Sequence, residues 1–136
     1  MPTIYRSMRR DGDIPLLGDS SSGLGVRCPG DVTLDDAGLA GPGRGGLSVG
    51  RNWRNLPHFL IPLRLQHLVD GATGSDQKHC WRHGNGEFRS GEVAPNLTLR
   101  VSSSTKGLVE PSAPVSLSDF KSAVSATRPD WTIDEE

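Results

Sequence analysis

Glycine and proline are so frequent along this chain that they constrain its fold more than any other feature. The 136 residues contain 17 glycines and 10 prolines, about a fifth of the chain where about 12% is average. Long helices cannot absorb so many interruptions, so a helical bundle or a coiled coil is excluded. At roughly one domain per ~150 residues, the length predicts a single domain. We therefore expect one loop-rich α+β or mostly-β domain over residues 1–131, with a frayed tail at residues 132–136.

Charge and hydropathy exclude several classes of partner. The formal net charge is −1, so overall charge does not recruit nucleic acid or an anionic membrane. No apolar stretch approaches the ~20 residues of a membrane span. The basic first ten residues lead into Asp11 and not into an apolar run, so no secretory signal is visible. We expect a cytoplasmic protein without a membrane partner, in which Cys28 and Cys80 are free thiols.

Apolar and alternating segments predict several short strands and one helix. The strands are expected at residues 3–6, 47–49, 78–82, 97–101 and 107–111. Ser116 is a suitable helix N-cap with Asp119 three residues later. The apolar periodicity then continues to Thr127 before Pro129 stops the helix.

Residues 37–69 contain no Asp or Glu. The same stretch contains four arginines: Arg44, Arg51, Arg54 and Arg64. One interpretation is a local positive field that holds a phosphate-bearing ligand. The other is a solvated loop whose arginines pair with acids elsewhere. The sequence leaves both open.

Two motifs match binding signatures only formally. Residues 41–46, Gly-Pro-Gly-Arg-Gly-Gly, fit the dinucleotide pattern G-x-G-x-x-G, but no strand precedes them and no helix follows. A mobile loop is the alternative interpretation. His79, Cys80 and His83 are three zinc-type ligands, yet on a strand Cys80 would face away from both histidines. A half-buried strand without a metal is therefore expected.

Three polar residues stand on apolar segments: Arg6, Ser48 and Glu110. A buried polar group costs free energy when it lacks a partner. One explanation is an ion pair between Arg6 and Glu110 across a sheet. The other is a cleft in which the arginine meets a pyrophosphate and the glutamate holds a ribose hydroxyl. Spacing alone does not decide between them.

The order of these residues resembles the Arg, Ser, Glu order of ADP-ribosyltransferases. More closely, the chain is similar to the ADP-ribosyltransferase-like toxins exported by bacterial type VI secretion and to their uncharacterised relatives. The residues that carry this resemblance are Leu24-Gly25-Val26-Arg27, Asp31-Val32, Gly38, Pro42, Gly45-Gly46-Leu47-Ser48-Val49 and Glu110-Pro111-Ser112-Ala113-Pro114, before a helix reaching Trp131. The resemblance implies an α+β fold with a split β-sheet core, few short helices, and NAD in the cleft between two sheets.

The resemblance also implies roles for single residues. Arg6 would grip phosphate or ribose, and Ser48 would shape the nicotinamide pocket. Glu110 would bond the 2′-hydroxyl of the nicotinamide ribose and stabilise the oxocarbenium-like transition state. The implied NAD-binding set is Tyr5, Arg6, Arg27, Gly46 and Ser48. From their charge alone, Arg27 and the arginines from Arg44 to Arg54 are candidates for neutralising the pyrophosphate.

Two departures keep a second hypothesis open. Arginine-modifying members carry an acid two residues before the glutamate, where this chain has Leu108, so that subclass is not expected. Leu47-Ser48-Val49 stands where Ser-Thr-Ser is the fuller pattern. The first hypothesis is NAD-dependent ADP-ribosyl transfer to an unidentified macromolecule by a cytosol-acting toxin. The alternative is a non-catalytic interaction module that keeps the fold, for example one paired with an immunity protein. A hydrolase of phosphate ligands built on the same arginines is a weaker third hypothesis.

Overall fold

The computed structural model of the protein describes residues 1–19 and 22–135. Its strands, in chain order, are β1 Ile4–Asp11, β2 Ile14–Pro15, β3 Leu39–Ala40, β4 Leu47–Gly50, β5 Lys78–His83, β6 Gly91–Ala94, β7 Leu97–Val101, β8 Lys106–Pro111, β9 Val115–Ser116 and β10 Thr132–Ile133. The α-helix α1 covers Leu117–Ala126, and short 3₁₀ turns lie at Trp53–Asn55, His58–Leu60, Leu63–Leu65 and Arg128–Asp130.

The strands form one large sheet and one small ribbon. The large sheet has the order β10-β5-β1-β4-β8-β7-β6, with β2 paired to the end of β1. The ribbon pairs β3 with β9. All these strand pairings are antiparallel, and the sheet curls into a half-barrel. The fold is therefore α+β and mainly β, as the frequency of glycine and proline predicts.

Strand β1 is where the large sheet divides. It pairs with β5 along its length, from Ile4 opposite His83 to Arg9 opposite Lys78. With β4 it shares a single pair of opposed residues, Tyr5 and Gly50. β4 in turn pairs with β8 from Leu47 to Gly50. β1 and β4 therefore separate beyond Tyr5, and a cleft opens between them.

Two apolar cores stabilise the two faces of the sheet. Ile4 and Met8 of β1 face the larger core, whereas Tyr5 faces the smaller one, as strand alternation requires. Trp81, Val109 and Phe120 belong to the larger core, and Trp53 and Ile61 to the smaller. Full burial of each large apolar side chain contributes about 1.5–3 kcal/mol.

The predicted helix is confirmed. The Ser116 hydroxyl accepts a hydrogen bond from the Asp119 amide at 3.0 Å, and Phe120 and Val124 pack into the larger core. The helix ends at Ala126, just before the turn that contains Pro129. Within the described residues, no helix combines the length and the apolar character that crossing a membrane requires.

The tail expected to fray at residues 132–136 is instead paired as far as residue 135. Thr132 and Ile133 lie opposite Arg82 and Trp81 of β5. The Asp134 amide donates to the Cys80 carbonyl at 2.8 Å. The physical reason is that β5 would otherwise present an unpaired edge, and β10 satisfies its backbone groups. Residue 136 lies outside the described residues.

Candidate functional site

The cleft between β1 and β4 has a volume of about 650 Å³. One side is apolar and includes Val49, Leu56 and Leu108, together with Phe59 and Leu60. Phe59 is 67% exposed, so its ring is accessible to a molecule in the cleft. A cavity of this size, mostly apolar with a few convergent charges, is typical of a small-molecule site.

The charged residues that line the cleft are mainly cations. They are Arg6, Arg27 and Lys106, with Asp31 as the acid. Arg27 and Asp31 form an ion pair at 3.3 Å. That pair offsets one of the three cations, so the cleft carries a net positive charge suited to an anionic ligand.

Arg6 joins the two diverging strands. Its Nη1 donates to the Ser48 carbonyl of β4 at 2.9 Å. Its Nε and Nη2 donate to the Gly23 carbonyl at 3.4 and 3.3 Å. Both acceptors are neutral, so these bonds orient the guanidinium without cancelling its charge.

The charge of Arg6 is held in a desolvated setting. Burial lowers the pKa of Arg6 to about 10, although the nearby Asp31 acts in the opposite direction. Arg6 therefore remains a cation at neutral pH. Within residues 1–19 and 22–135, no carboxylate forms an ion pair with it, and Asp31 is bonded to Arg27. A partly desolvated cation with neutral partners attracts an anionic group.

Ser48 lies on β4, whereas Gly46 lies in the loop just before that strand. The Ser48 side chain is exposed and lines the cleft, with Leu108 directly opposite on β8. Gly46 packs against β8, where an added Cβ would lie 2.2 Å from the Val109 carbonyl oxygen. Gly46 is thus required for close backbone packing, and only Ser48 of the two presents a side chain to the cleft.

Glu110 lies on β8, two residues beyond Leu108 and on the same face of the strand. It is only 5% exposed and is not among the residues that line the cleft. Its Oε1 accepts from Arg100 Nε at 2.9 Å, and its Oε2 accepts from the Gly43 amide at 2.9 Å. The ion pair that the sequence analysis considered between Arg6 and Glu110 is therefore wrong, because the partner of Glu110 is Arg100.

Sequence reasoning missed Arg100 although a signal was present. Residues 97–101 and 107–111 are both predicted strands, separated by a short turn. Pairing them as a hairpin places Arg100 opposite Leu108, and therefore diagonal to Glu110 on the same face.

The glycine-rich loop at residues 41–46 covers Glu110 and is not free. Beyond the bond from Gly43, Gly45 bridges to Val32 and the Gly46 amide donates to the Asp31 carbonyl at 3.0 Å. Contrary to the expectation that no strand precedes the loop, the two-residue strand β3 lies directly before it, because β9 pairs with it. β4 follows the loop where a dinucleotide-binding fold would have a helix. Residues 41–46 therefore match the G-x-G-x-x-G pattern only in sequence, and in the fold they cover β8.

Tyr5, predicted to bind the cofactor, lies away from the cleft lining. Its hydroxyl donates to Asp134 Oδ2 at 2.8 Å, and its ring packs in the smaller core. Burial, aided by the bond to Asp134, raises the pKa of the Tyr5 hydroxyl. The predicted set thus divides into Arg6, Arg27 and Ser48 at the cleft, and Tyr5, Gly46 and Glu110 outside its lining.

The four arginines of the acid-free stretch are used elsewhere or point outward. Arg44 donates to the Leu34 carbonyl at 3.1 Å, and Arg54 stacks 4.9 Å from the Trp53 ring centroid. Arg64 pairs with Glu135 at 2.5 Å. None of these three, nor Arg51, lines the cleft. The cation that sequence reasoning missed there is Lys106.

The histidine and cysteine motif forms β5, as predicted. His79 bonds Glu135 at 3.1 Å, and the buried His83 lies against Trp131 with ring centroids 5.2 Å apart. Cys80 is buried and Cys28 is exposed, and both are free thiols. No group of three or more metal-ligating side chains comes together in the part of the chain that the structure describes.

Searches of protein-family models, of curated proteins and of solved structures found no match to this chain.

Proposed function

We propose that this protein binds NAD in the cleft between β1 and β4 and transfers its ADP-ribosyl group. The observation that carries the proposal is Arg6, a half-buried cation at the cleft whose hydrogen-bond acceptors are neutral carbonyls. The pyrophosphate of NAD supplies the missing negative charge. The apolar side, with the exposed ring of Phe59, suits a flat heteroaromatic group.

The arrangement of strands supports an ADP-ribosyltransferase-like split sheet. Arg6, Ser48 and Glu110, selected by resemblance, lie on β1, β4 and β8, which are neighbours in the sheet. The division of the sheet between β1 and β4 also lies next to Arg6 and Ser48. Their positions along the sequence do not require this adjacency, so it supports the proposal.

The proposed reaction breaks the glycosidic bond between the nicotinamide nitrogen and C1 of its ribose. The bonding electron pair leaves with nicotinamide, which becomes neutral. A nucleophilic group of the target, or water, donates a lone pair to C1 and releases a proton to solvent. Positive charge develops on the ribose in between, and the carboxylate of Glu110 would stabilise it. The expected target is an unidentified macromolecule, reached by a cytosol-acting toxin.

Release of nicotinamide tests this proposal without knowledge of the target, because water can serve as the acceptor. We expect the purified protein to release nicotinamide from NAD, and Glu110→Gln to lose this activity while staying folded. Glu92→Gln is the matched control, since Glu92 is an exposed acid on β6. Equal release by the wild type and Glu110→Gln would overturn the assignment of Glu110.

One observation favours a second candidate, a non-catalytic interaction module. Glu110 is covered by the loop at residues 41–46 and paired with Arg100, as expected of a structural carboxylate. Such a module would bind a protein partner, for example an immunity protein. A folded sample that neither binds millimolar NAD nor releases nicotinamide would favour this candidate.

A further inference from the structure

Glu110 is held from two sides by two different kinds of donor. Arg100 Nε donates to Oε1 and the Gly43 amide donates to Oε2, both at 2.9 Å. The Glu110 side chain is 6% exposed, whereas the Arg100 side chain is 53% exposed. The arginine therefore reaches the carboxylate from solvent, while the loop closes over it.

The contact from Arg100 is anchored in the sheet. β7 pairs with β8 from Leu97 opposite Pro111 to Val101 opposite Gly107. Arg100 and Glu110 belong to these paired strands, so their backbones cannot move apart without breaking the ladder. The bond joins two charged groups, which makes it stronger than a bond between neutral groups.

The contact from Gly43 comes from a loop and not from a paired strand. Ala40 before it is fixed by the β3–β9 ribbon, and the Arg44 carbonyl after it accepts from the Thr33 amide at 2.9 Å. Gly43 lies between these points with φ +83°, a conformation that glycine adopts without steric cost. Its donor is a neutral amide, which water can satisfy equally well when the loop moves.

We propose that Arg100 is the positioning residue of Glu110, and that a substrate hydroxyl takes Oε2 in exchange for the Gly43 amide. Arg100 keeps Oε1 occupied throughout, so the carboxylate holds one orientation while its second oxygen changes partner. The exchange replaces one neutral donor with another, so it leaves the charge of the site unchanged. The proposal rests on the proposed transferase activity and names the oxygen that meets the ribose.

Steady-state nicotinamide release tests the role of Arg100. We expect Arg100→Gln to lower kcat by up to about 100-fold, because a misoriented group costs this much, with little change in KM. Arg100→Lys should recover part of kcat, since an ammonium still donates to Oε1 but lacks the planar Nε geometry. Arg89→Gln, at an exposed arginine, is the control for loss of charge.

Thermal melting separates positioning from a structural role. A lower melting temperature in Arg100→Gln with an unchanged kcat of the folded protein would overturn the proposal. If the wild type releases no nicotinamide, the proposed function fails and this inference fails with it. If the wild type is active and Arg100→Gln matches it, this inference alone is wrong.

Amide NMR tests the exchange at Oε2 directly. Saturation with NAD should shift the Gly43 amide resonance and speed its hydrogen exchange, because the amide passes from a carboxylate to water. The Gly46 amide, bonded to the Asp31 carbonyl, should keep its exchange rate. An unchanged Gly43 amide in the NAD complex would show that Oε2 keeps its partner, contrary to the proposal.

Discussion

Arg6 Nη1 lies 2.9 Å from the Ser48 carbonyl oxygen, and this bond spans the gap where β1 and β4 separate. The same guanidinium also bonds the Gly23 carbonyl, so one side chain ties together three segments of the chain. Arg6 therefore has two roles. It stabilises the divided sheet, and it places a partly desolvated cation at the cleft.

The structural role of Arg6 predicts a loss of stability when its donors are shortened. Arg6→Gln should lower the free energy of unfolding by about 1.5–3 kcal/mol, because hydrogen bonds from a charged donor are lost. Urea unfolding at neutral pH measures this. Arg89→Gln should leave the midpoint unchanged, and an equally stable Arg6→Gln would contradict the bridging role.

Protonation of Asp31 should destabilise the folded protein in acid. Burial raises its pKa, but hydrogen bonds from Arg27 outweigh burial and hold the pKa below 3.8. A carboxylate with a lowered folded pKa stabilises the protein above its unfolded pKa and loses that contribution as pH falls through the folded value. Stability should therefore fall below about pH 4, and Asp31→Asn should show less of that fall. Identical acid profiles for both proteins would contradict this.

The two cysteines predict unequal reactivity. Burial raises the pKa of the Cys80 thiol to about 12, so it stays protonated and unreactive at pH 8. Cys28 is exposed. Mass spectrometry after iodoacetamide treatment should find one label in the native protein and none in Cys28→Ser. Urea should make Cys80 reactive, and native labelling of Cys80 would contradict its burial.

We expect the substitution Gly43→Ala to improve NAD binding. Alanine at φ +83° strains the closed loop by about 1–2 kcal/mol, and opening relieves that strain. Apparent affinity for NAD should rise by up to about tenfold. Gly12→Ala is the matched control, because Gly12 has φ +64° and no atom within 4 Å of an added Cβ. Weaker binding by Gly43→Ala alone would show that the closed loop aids binding.

The Ser116 cap predicts a local stability effect. Ser116→Ala should cost about 1 kcal/mol, since the Asp119 amide loses its acceptor. Ser118→Ala, at an exposed position inside the helix, should cost less. Thermal unfolding compares the two, and equal losses would show that the cap contributes nothing.

Local patterns predicted much of the fold. Alternation placed β7 at residues 97–101 without error, and the Ser116 cap placed the start of α1. β1 runs further than expected, to Asp11, because backbone pairing with β5 and β2 holds polar residues in the strand. β10 depends on a distant edge of β5 and has no local signal of its own.

The candidate site was predicted only in part, for a similar reason. Arg6 and Ser48 stood out as polar residues on apolar segments, and both are at the cleft. The cover over Glu110 joins residues 67 positions apart, and no local pattern encodes that contact. Arg100 required the pairing of β7 with β8, which a strand-by-strand analysis does not supply.

Calorimetric titration of NAD into the wild type and Arg6→Gln tests whether the cleft between β1 and β4 binds a dinucleotide. We expect saturable binding by the wild type and a large loss of affinity in a folded Arg6→Gln, with Arg89→Gln behaving like the wild type. Arg6→Lys should bind with intermediate affinity, because it keeps the charge but not the planar set of donors. No binding of millimolar NAD by the folded wild type would contradict the claim that this cleft is a dinucleotide site.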